Sequence, residues 1–179
     1  MLIDDVIDEV IGREGGFSNH QSDAGGPTKW GITAKVAHAN GFVGELRDLS
    51  RDEAVRIYRS EYWIRPRLDL IARLAPQLAA EIFDTGVNMG PRVAAAFLQR
   101  VLNGLNRNQR DYPDIEVDGV IGVRTSEALR QFLDRRGQQG ETVLLKAIEA
   151  LQGALYLRLA EQRPANEAFL YGWLANRLG

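Results

Sequence analysis

Glu14 and Asp23 stand nine positions apart in a segment that also holds Gly15-Gly16, Gly25-Gly26, Thr28, Trp30 and Thr33. Two carboxyl groups set across a glycine-rich loop suit acid–base hydrolysis of a glycosidic bond. That reaction needs a proton donor at the leaving oxygen and a second group that stabilises the oxocarbenium-like transition state or activates water. A Glu packed against apolar helix neighbours is poised as the acid, while an Asp on a solvated loop stays ionised. Carboxyl groups about 5–5.5 Å apart would imply retention, and about 6.5–9.5 Å inversion.

The elements that must position these groups are helical. Leu2, Ile3, Val6, Ile7, Val10 and Ile11 recur at three- and four-residue steps, so residues 2–13 read as an amphipathic helix. Gly15-Gly16 would stop it, leaving Glu14 at its last turn. Residues 15–29 read as loop, with a short strand or hairpin around Lys29–Ile32. A short helix follows over Ala34–Ala39, with Thr33 as N-cap and Gly41 as stop. Ser50 and Glu53 have capping-box spacing and start a helix to about Trp63, which Pro66 cannot extend. Gln77–Met89 reads as a helix ending at Gly90, and Pro91 opens the next, to about Leu105. A polar connection over 106–123 leads to helices at roughly 124–136, 142–162 and 166–178. The expected fold class is mainly α, lysozyme-like, with at most a short β element near the active-site loop.

Composition narrows the functions open to the chain. Its 179 residues are 45% hydrophobic, which suffices for a sizeable core. There is no Cys, so disulfides, thiolate metal sites and cysteine peptidase chemistry are excluded. His20 and His38 are the two histidines, too few and too separated for a metal-dependent amidase. No metal or cofactor is expected. A net charge of −2 argues against nonspecific nucleic-acid binding, and no stretch is long and apolar enough for stable membrane insertion. The start, Met1 to Val10, is acidic and lacks an unbroken apolar run, so no secretory signal is read there. Cytoplasmic synthesis is expected, with a holin or an export factor releasing the protein to the cell wall and periplasm.

Glu14-Gly-Gly-Phe, Asp23-Ala-Gly-Gly-Pro-Thr28 and Trp30-Gly-Ile-Thr33 together resemble the signature of glycoside hydrolase family 108. That resemblance implies an N-acetylmuramidase of the lysozyme type, found in phage endolysins and in proteins once labelled secretion activators. It implies cleavage of the β-1,4 bond between N-acetylmuramic acid and N-acetylglucosamine, with Glu14 as the catalytic acid. The family usually has Pro after the Asp, where this chain has Ala24. The Glu-to-Asp spacing is also similar to that of T4-type phage lysozymes, in which Asp and Thr position water. The Thr here stands one residue earlier relative to the Asp. Ile57-Tyr58 to Trp63 and Phe83-Asp84 to Pro91 are similar to later family segments. Asp118-Gly-Val-Ile-Gly122 to Thr125, and Tyr171-Gly-Trp173, resemble a peptidoglycan-binding region often joined to these enzymes. The expected division is a catalytic region over 1–90 and a helical wall-binding region over 91–179, packed together. The expected partner is the peptidoglycan glycan strand.

Several residues carry two readings. Asp23 is a water-holding or cation-stabilising group, or a turn residue capping its own backbone. Thr28 helps Asp23 or is structural, and Thr33 lines the cleft or simply caps a helix. Trp30 is the cleft tryptophan, since it lies in the polar segment, whereas Trp63 and Trp173 read as core. Tyr58 and Tyr62 share a helix face that lines the cleft or packs. Asn88 contacts substrate or caps a helix end. Two other functions compete with the hydrolase. A lytic transglycosylase also uses one Glu but lets the sugar's own hydroxyl attack. A non-catalytic wall-binding or secretion-associated protein would bind without cleaving.

Overall fold

The computed structural model describes residues 3–14, 16–18 and 26–178, with Arg13 and Glu14 described by their backbone alone. Gly15, His20 and Asp23 lie outside the described residues. Packing divides the chain into two compact units, residues 1–65 and 66–179.

In the first unit, helix α1 (Ile3–Glu14) buries Val6, Ile7, Val10 and Ile11, the apolar stripe seen in the sequence. It packs on α3 (Arg51–Tyr58), which buries Ala54, Ile57 and Tyr58. Surface ion pairs Asp8–Arg51 (2.7 Å) and Asp4–Arg59 run along this seam. Exposed pairs like these add little to stability, so the apolar stripe holds the two helices together. The expected capping box is present: the Glu53 backbone N–H donates to Ser50 Oγ, and the Ser50 backbone N–H donates to Glu53 Oε2 at 2.9 Å.

Two features depart from the sequence reading. The hairpin expected around Lys29–Ile32 forms from β2 (Thr28–Lys29) and β3 (Ile32–Thr33), but the region expected as loop also contains strand β1 (Phe17–Ser18), which completes an antiparallel sheet of order β1-β2-β3. Two-residue strands are too short for an alternating pattern to show. The helix expected to reach Trp63 is α-helical only to Tyr58, and Arg59–Ile64 winds as a π-helix. Periodicity alone does not separate those two windings. Helix α2 (Ala34–Ala39) forms where expected, with Thr33 Oγ1 accepting from the Val36 N–H at 3.3 Å.

The second unit is built from α4 (Leu68–Ala72), α5 (Pro76–Met89), α6 (Pro91–Leu105), α7 (Val123–Gln162) and α8 (Glu167–Arg177). Helix α4, not foreseen in the sequence, buries Leu68 and Ile71 against α5. Helix α5 packs on both α6 and α7, burying Leu78, Ile82 and Phe83. Its first turn has no side-chain cap of its own. Glu141 from α7 supplies the acceptor, taking the Leu78 N–H at 3.2 Å. Gly137 breaks α7 with φ 59°, ψ −153°, a conformation open in practice only to glycine. The expected gap between 136 and 142 is thus a single-residue kink.

The connection from α6 to α7 is strapped down by polar side chains. Asn103 exchanges two hydrogen bonds with the backbone of Ile115, at 2.7 and 2.9 Å. Tyr112 donates its hydroxyl to the Leu102 carbonyl at 2.8 Å. Arg107, Asn108 and Gln109 all have positive φ, a run of left-handed residues that costs energy unless the surroundings enforce it. The enforcing groups are Asn106, which accepts from the Gln109 N–H at 3.0 Å, and Asp111, which accepts from Arg107 Nε at 2.9 Å. Arg135 adds a second pair to Asp111 at 3.4 Å.

Helix α8 is tied back through a buried pair. Arg177 Nη1 donates to Asp84 Oδ1 at 3.3 Å, with the two side chains 13% and 10% exposed. Removing Arg177 takes the positive charge from the buried Asp84 carboxylate, which keeps the Asn88 amide. Arg177→Met is expected to lower the unfolding free energy by on the order of 3 kcal/mol in urea titration. A loss below about 0.5 kcal/mol, the usual size for a surface change, would show that the pair does not hold α8. Hydrogen bonding to Arg107 holds the Asp111 carboxyl below the ordinary carboxylate range. Its stabilising effect is therefore complete above the unfolded pKa of about 4 and fades as pH falls through the lower folded value. Asp111→Asn is expected to flatten the acid-unfolding curve below about pH 4, and an unchanged curve would remove Asp111 from that account.

Candidate active site and wall-binding region

Glu14 is the last residue of α1, and β1 begins three residues later at Phe17. The helix that carries the carboxyl-bearing residue thus runs almost directly into the sheet. Register fixes what lies alongside. Phe17 pairs with Lys29, and Ser18 with Thr28. Thr28 then pairs with Thr33, and Lys29 with Ile32. Directly paired residues in a ladder point to the same face. Ser18, Thr28 and Thr33 therefore share one face of the sheet, while Ile32 on the other is buried. Two of the residues singled out in the sequence, Thr28 and Thr33, are cross-strand neighbours. Thr33 spends its hydroxyl on the α2 cap, which leaves Thr28 as the threonine of the pair without a capping duty.

Trp30 and Gly31 form the two-residue turn between β2 and β3, with φ of 55° and 73°. Positive φ at both central positions is the mark of a type I′ hairpin turn. For a bulky residue such as Trp this backbone is strained, by on the order of 1–3 kcal/mol. Three hydrogen bonds hold it there. The Trp30 N–H donates to the Gly16 carbonyl at 3.3 Å. Its indole Nε1 donates to the Leu49 carbonyl at 3.1 Å. Its own carbonyl accepts from the Tyr58 hydroxyl at 2.9 Å. Trp30 thereby joins the chain just beyond Glu14 to the segment leading into α3 and to α3 itself. Its ring is half-buried, and Lys29 Nζ sits 5.0 Å from the ring centroid, within range of a cation–π contact.

Tyr58 is 1% exposed, which leaves no face for a ligand. It positions Trp30. Tyr62 is more open and lies beside it, ring centroids 5.5 Å apart. The π-helical turn that begins at Arg59 comes between these two rings, and such turns are frequent at functional sites. Asn88 lies in the second unit, on α5, where its Nδ2 donates to the Asp84 carbonyl at 2.9 Å and to Asp84 Oδ2 at 3.3 Å. The structure thus assembles Glu14, Thr28, Trp30, Thr33, Tyr58 and Tyr62 on neighbouring elements of one unit, with Asn88 in the other. No group of His, Asp and Glu able to hold a metal ion occurs among the described residues.

The Asp118-Gly119 loop in the second unit is organised by Gln99, which is 2% exposed. Gln99 Nε2 donates to Asp118 Oδ1 at 2.7 Å and to the Val120 carbonyl at 3.1 Å, and its Oε1 accepts the Gly119 N–H at 2.9 Å. The Gln99 bond first, and then the Val120 N–H donating to Asp118 Oδ1 at 2.8 Å, hold the Asp118 carboxyl below its ordinary pKa. Gly119 has φ 71°, and a Cβ there would lie 2.7 Å from the Arg92 carbonyl oxygen, so no other residue fits. Sequence reasoning named this motif but missed Gln99. The signal was a glutamine inside the apolar stripe of α6, beside Leu98 and Leu102.

Fold and site together define a mainly helical, lysozyme-like protein whose first helix delivers Glu14 to a small hairpin sheet. Residues 7–90 match the family model described as glycosyl hydrolase 108, and residues 93–178 match the one described as "Predicted Peptidoglycan domain". The solved structure of Brucella abortus SagA is similar to this chain, with 26% sequence identity and a TM-score of 0.63. The match covers 93% of this chain and 94% of that one. No curated protein sequence matches the chain. The two families together make it a glycoside hydrolase directed at peptidoglycan.

The seam between the two families falls after residue 90, whereas the compact units divide at 65/66. Helix α5 therefore belongs by family to the hydrolase and by packing to the second unit.

Tyr58→Phe tests the turn. It removes the hydroxyl that meets the Trp30 carbonyl, and is expected to cost about 1–2 kcal/mol in chemical unfolding. It should also slow release of soluble fragments from purified peptidoglycan while the protein stays folded. Unchanged stability and rate would mean that the turn holds without Tyr58.

Proposed function

We propose that this chain is an N-acetylmuramidase that hydrolyses the β-1,4 bond between N-acetylmuramic acid and N-acetylglucosamine. The observation that carries the reading is the position of Glu14, which closes α1 three residues before the sheet that brings Thr28 and Trp30 alongside. This all falls within the glycosyl hydrolase 108 match.

Glu14 protonates the glycosidic oxygen as the bond to the muramic acid carbon breaks. Asp23, helped by the Thr28 hydroxyl, holds the attacking water or stabilises the developing cation. The water oxygen bonds to the anomeric carbon and becomes the reducing-end hydroxyl of the muramic acid. The second water proton passes to Asp23, or, where Asp23 stabilises the cation, back to the Glu14 carboxylate, so that Glu14 ends protonated for the next cycle. Trp30 and Tyr62 offer ring surfaces to the glycan, and Thr33 holds the sheet to α2. The setting we infer is bacterial cell lysis at the wall, after release through a holin or an export factor.

Mass spectrometry of fragments from purified peptidoglycan tests this. Wild type is expected to yield disaccharide-peptides ending in reducing N-acetylmuramic acid. Glu14→Gln should lower the rate between roughly a hundredfold and ten-thousandfold without unfolding the protein. Anhydro-muramic ends would make the enzyme a lytic transglycosylase instead. Equal release by wild type and Glu14→Gln would remove Glu14 from the acid role.

A further inference from the structure

A cavity of about 330 Å³ opens in the second unit beside the α7 kink, lined by Leu105, Phe132, Arg136, Gln139, Gly140 and Val143. Its floor is bare backbone. A Cβ on Gly140 would lie 2.6 Å from Arg136 Cβ and 3.0 Å from the Phe132 ring, so the pocket depends on the missing side chain. Its walls are mixed in character. Val143 is 42% exposed and Leu105 half-buried, while Gln139 and Arg136 stand in solvent at the rim.

Arg136 makes no hydrogen bond or salt bridge among the described residues. Asp111 is within electrostatic reach of Arg136 but is already bonded to Arg107 and paired with Arg135. The pocket rim therefore carries a guanidinium whose hydrogen-bond donors stay open, suited to a carboxylate. Phe132 is 3% exposed, so it offers no open ring on which a sugar could stack. A small aliphatic group against Leu105 and Val143, with a carboxylate beside it, fits better than a glycan. In peptidoglycan that combination belongs to the stem peptides, built of alanine and diacid residues.

We propose that this pocket binds the stem peptide of peptidoglycan, with a peptide carboxylate on Arg136, a main-chain amide at Gln139 and an alanine methyl against Leu105 and Val143. The inference rests on the wall-hydrolase reading of the chain. It divides the labour: the glycan is cut by the first family region, and the peptide is gripped by the second.

The test uses the full chain and the synthetic sugar-free tetrapeptide Ala-γ-Glu-diaminopimelate-Ala. Titration followed by NMR is expected to shift the backbone amides around Phe132, Arg136 and Val143. Arg136→Glu lies on the surface and should fold normally, as circular dichroism would verify, yet bind the peptide at least tenfold more weakly. Val143→Ser should weaken binding severalfold. Wall sacculi stripped of their peptides by an amidase should retain less protein than intact sacculi. The proposal falls if the tetrapeptide does not bind, if Arg136→Glu binds it as wild type does, or if stripped sacculi retain as much protein. Peptide binding without any release of reducing ends would support the pocket and overturn the muramidase reading alone.

Discussion

The first unit depends on a tryptophan held in a backbone conformation it would not choose. Trp30 sits at φ 55°, where a side chain crowds its own backbone. Three hydrogen bonds, from three separate stretches of chain, keep it there. Each satisfies a group that would otherwise be left without a partner in a partly buried place. The bond to Gly16 fixes the chain just past Glu14, the bond to Leu49 fixes the entry to α3, and the bond from Tyr58 fixes its exit. The strain at one residue is thereby shared among the elements it joins, so the sheet is placed by side chains as much as by its six strand residues. A hairpin this small would not be stable alone.

The second unit solves a similar problem with amides. The connection between α6 and α7 buries only Tyr112 and Ile121 among its apolar side chains, and Asn103, Asn106 and Gln99 add polar anchors from the end and buried face of α6. Each meets both a donor and an acceptor in the loop, which a charged side chain could not do alone. Such a network fixes one loop conformation, because any slip leaves buried amide groups unmet.

Elements with a strong local signal were legible in the sequence. The stripe of α1, the Ser50–Glu53 box, the Thr33 cap and the Gly90-Pro91 junction each declare themselves within four or five residues, and the structure has all of them. The features that escaped are set by distant partners. Strand β1 exists because it finds β2 across ten residues of chain. The π-helical winding after Tyr58 does not alter the residue pattern. The buried role of Tyr58 is decided by a carbonyl 28 positions away. Gln99 and Arg177 looked like ordinary polar residues because their partners, Asp118 and Asp84, lie 19 and 93 positions off. Of the proposed catalytic pair, the helix-terminal place of Glu14 was readable from the glycines that follow it, and Asp23 lies outside the described residues.

Helix α5 sits on the hydrolase side of the family seam, yet its buried residues Leu78, Ile82 and Phe83 lie on a helix that packs against α4, α6 and α7, and its Asp84 receives Arg177 from the last helix. A gene exchange at that seam would hand the hydrolase a foreign surface that does not fit this helix, and would take the guanidinium from a buried carboxylate. Modules joined by a flexible linker can be traded freely between lineages; these two share a core element across their boundary. Selection on packing therefore keeps them together, and changes in wall preference have to arise by substitution within the pair rather than by recruitment of a new binding partner.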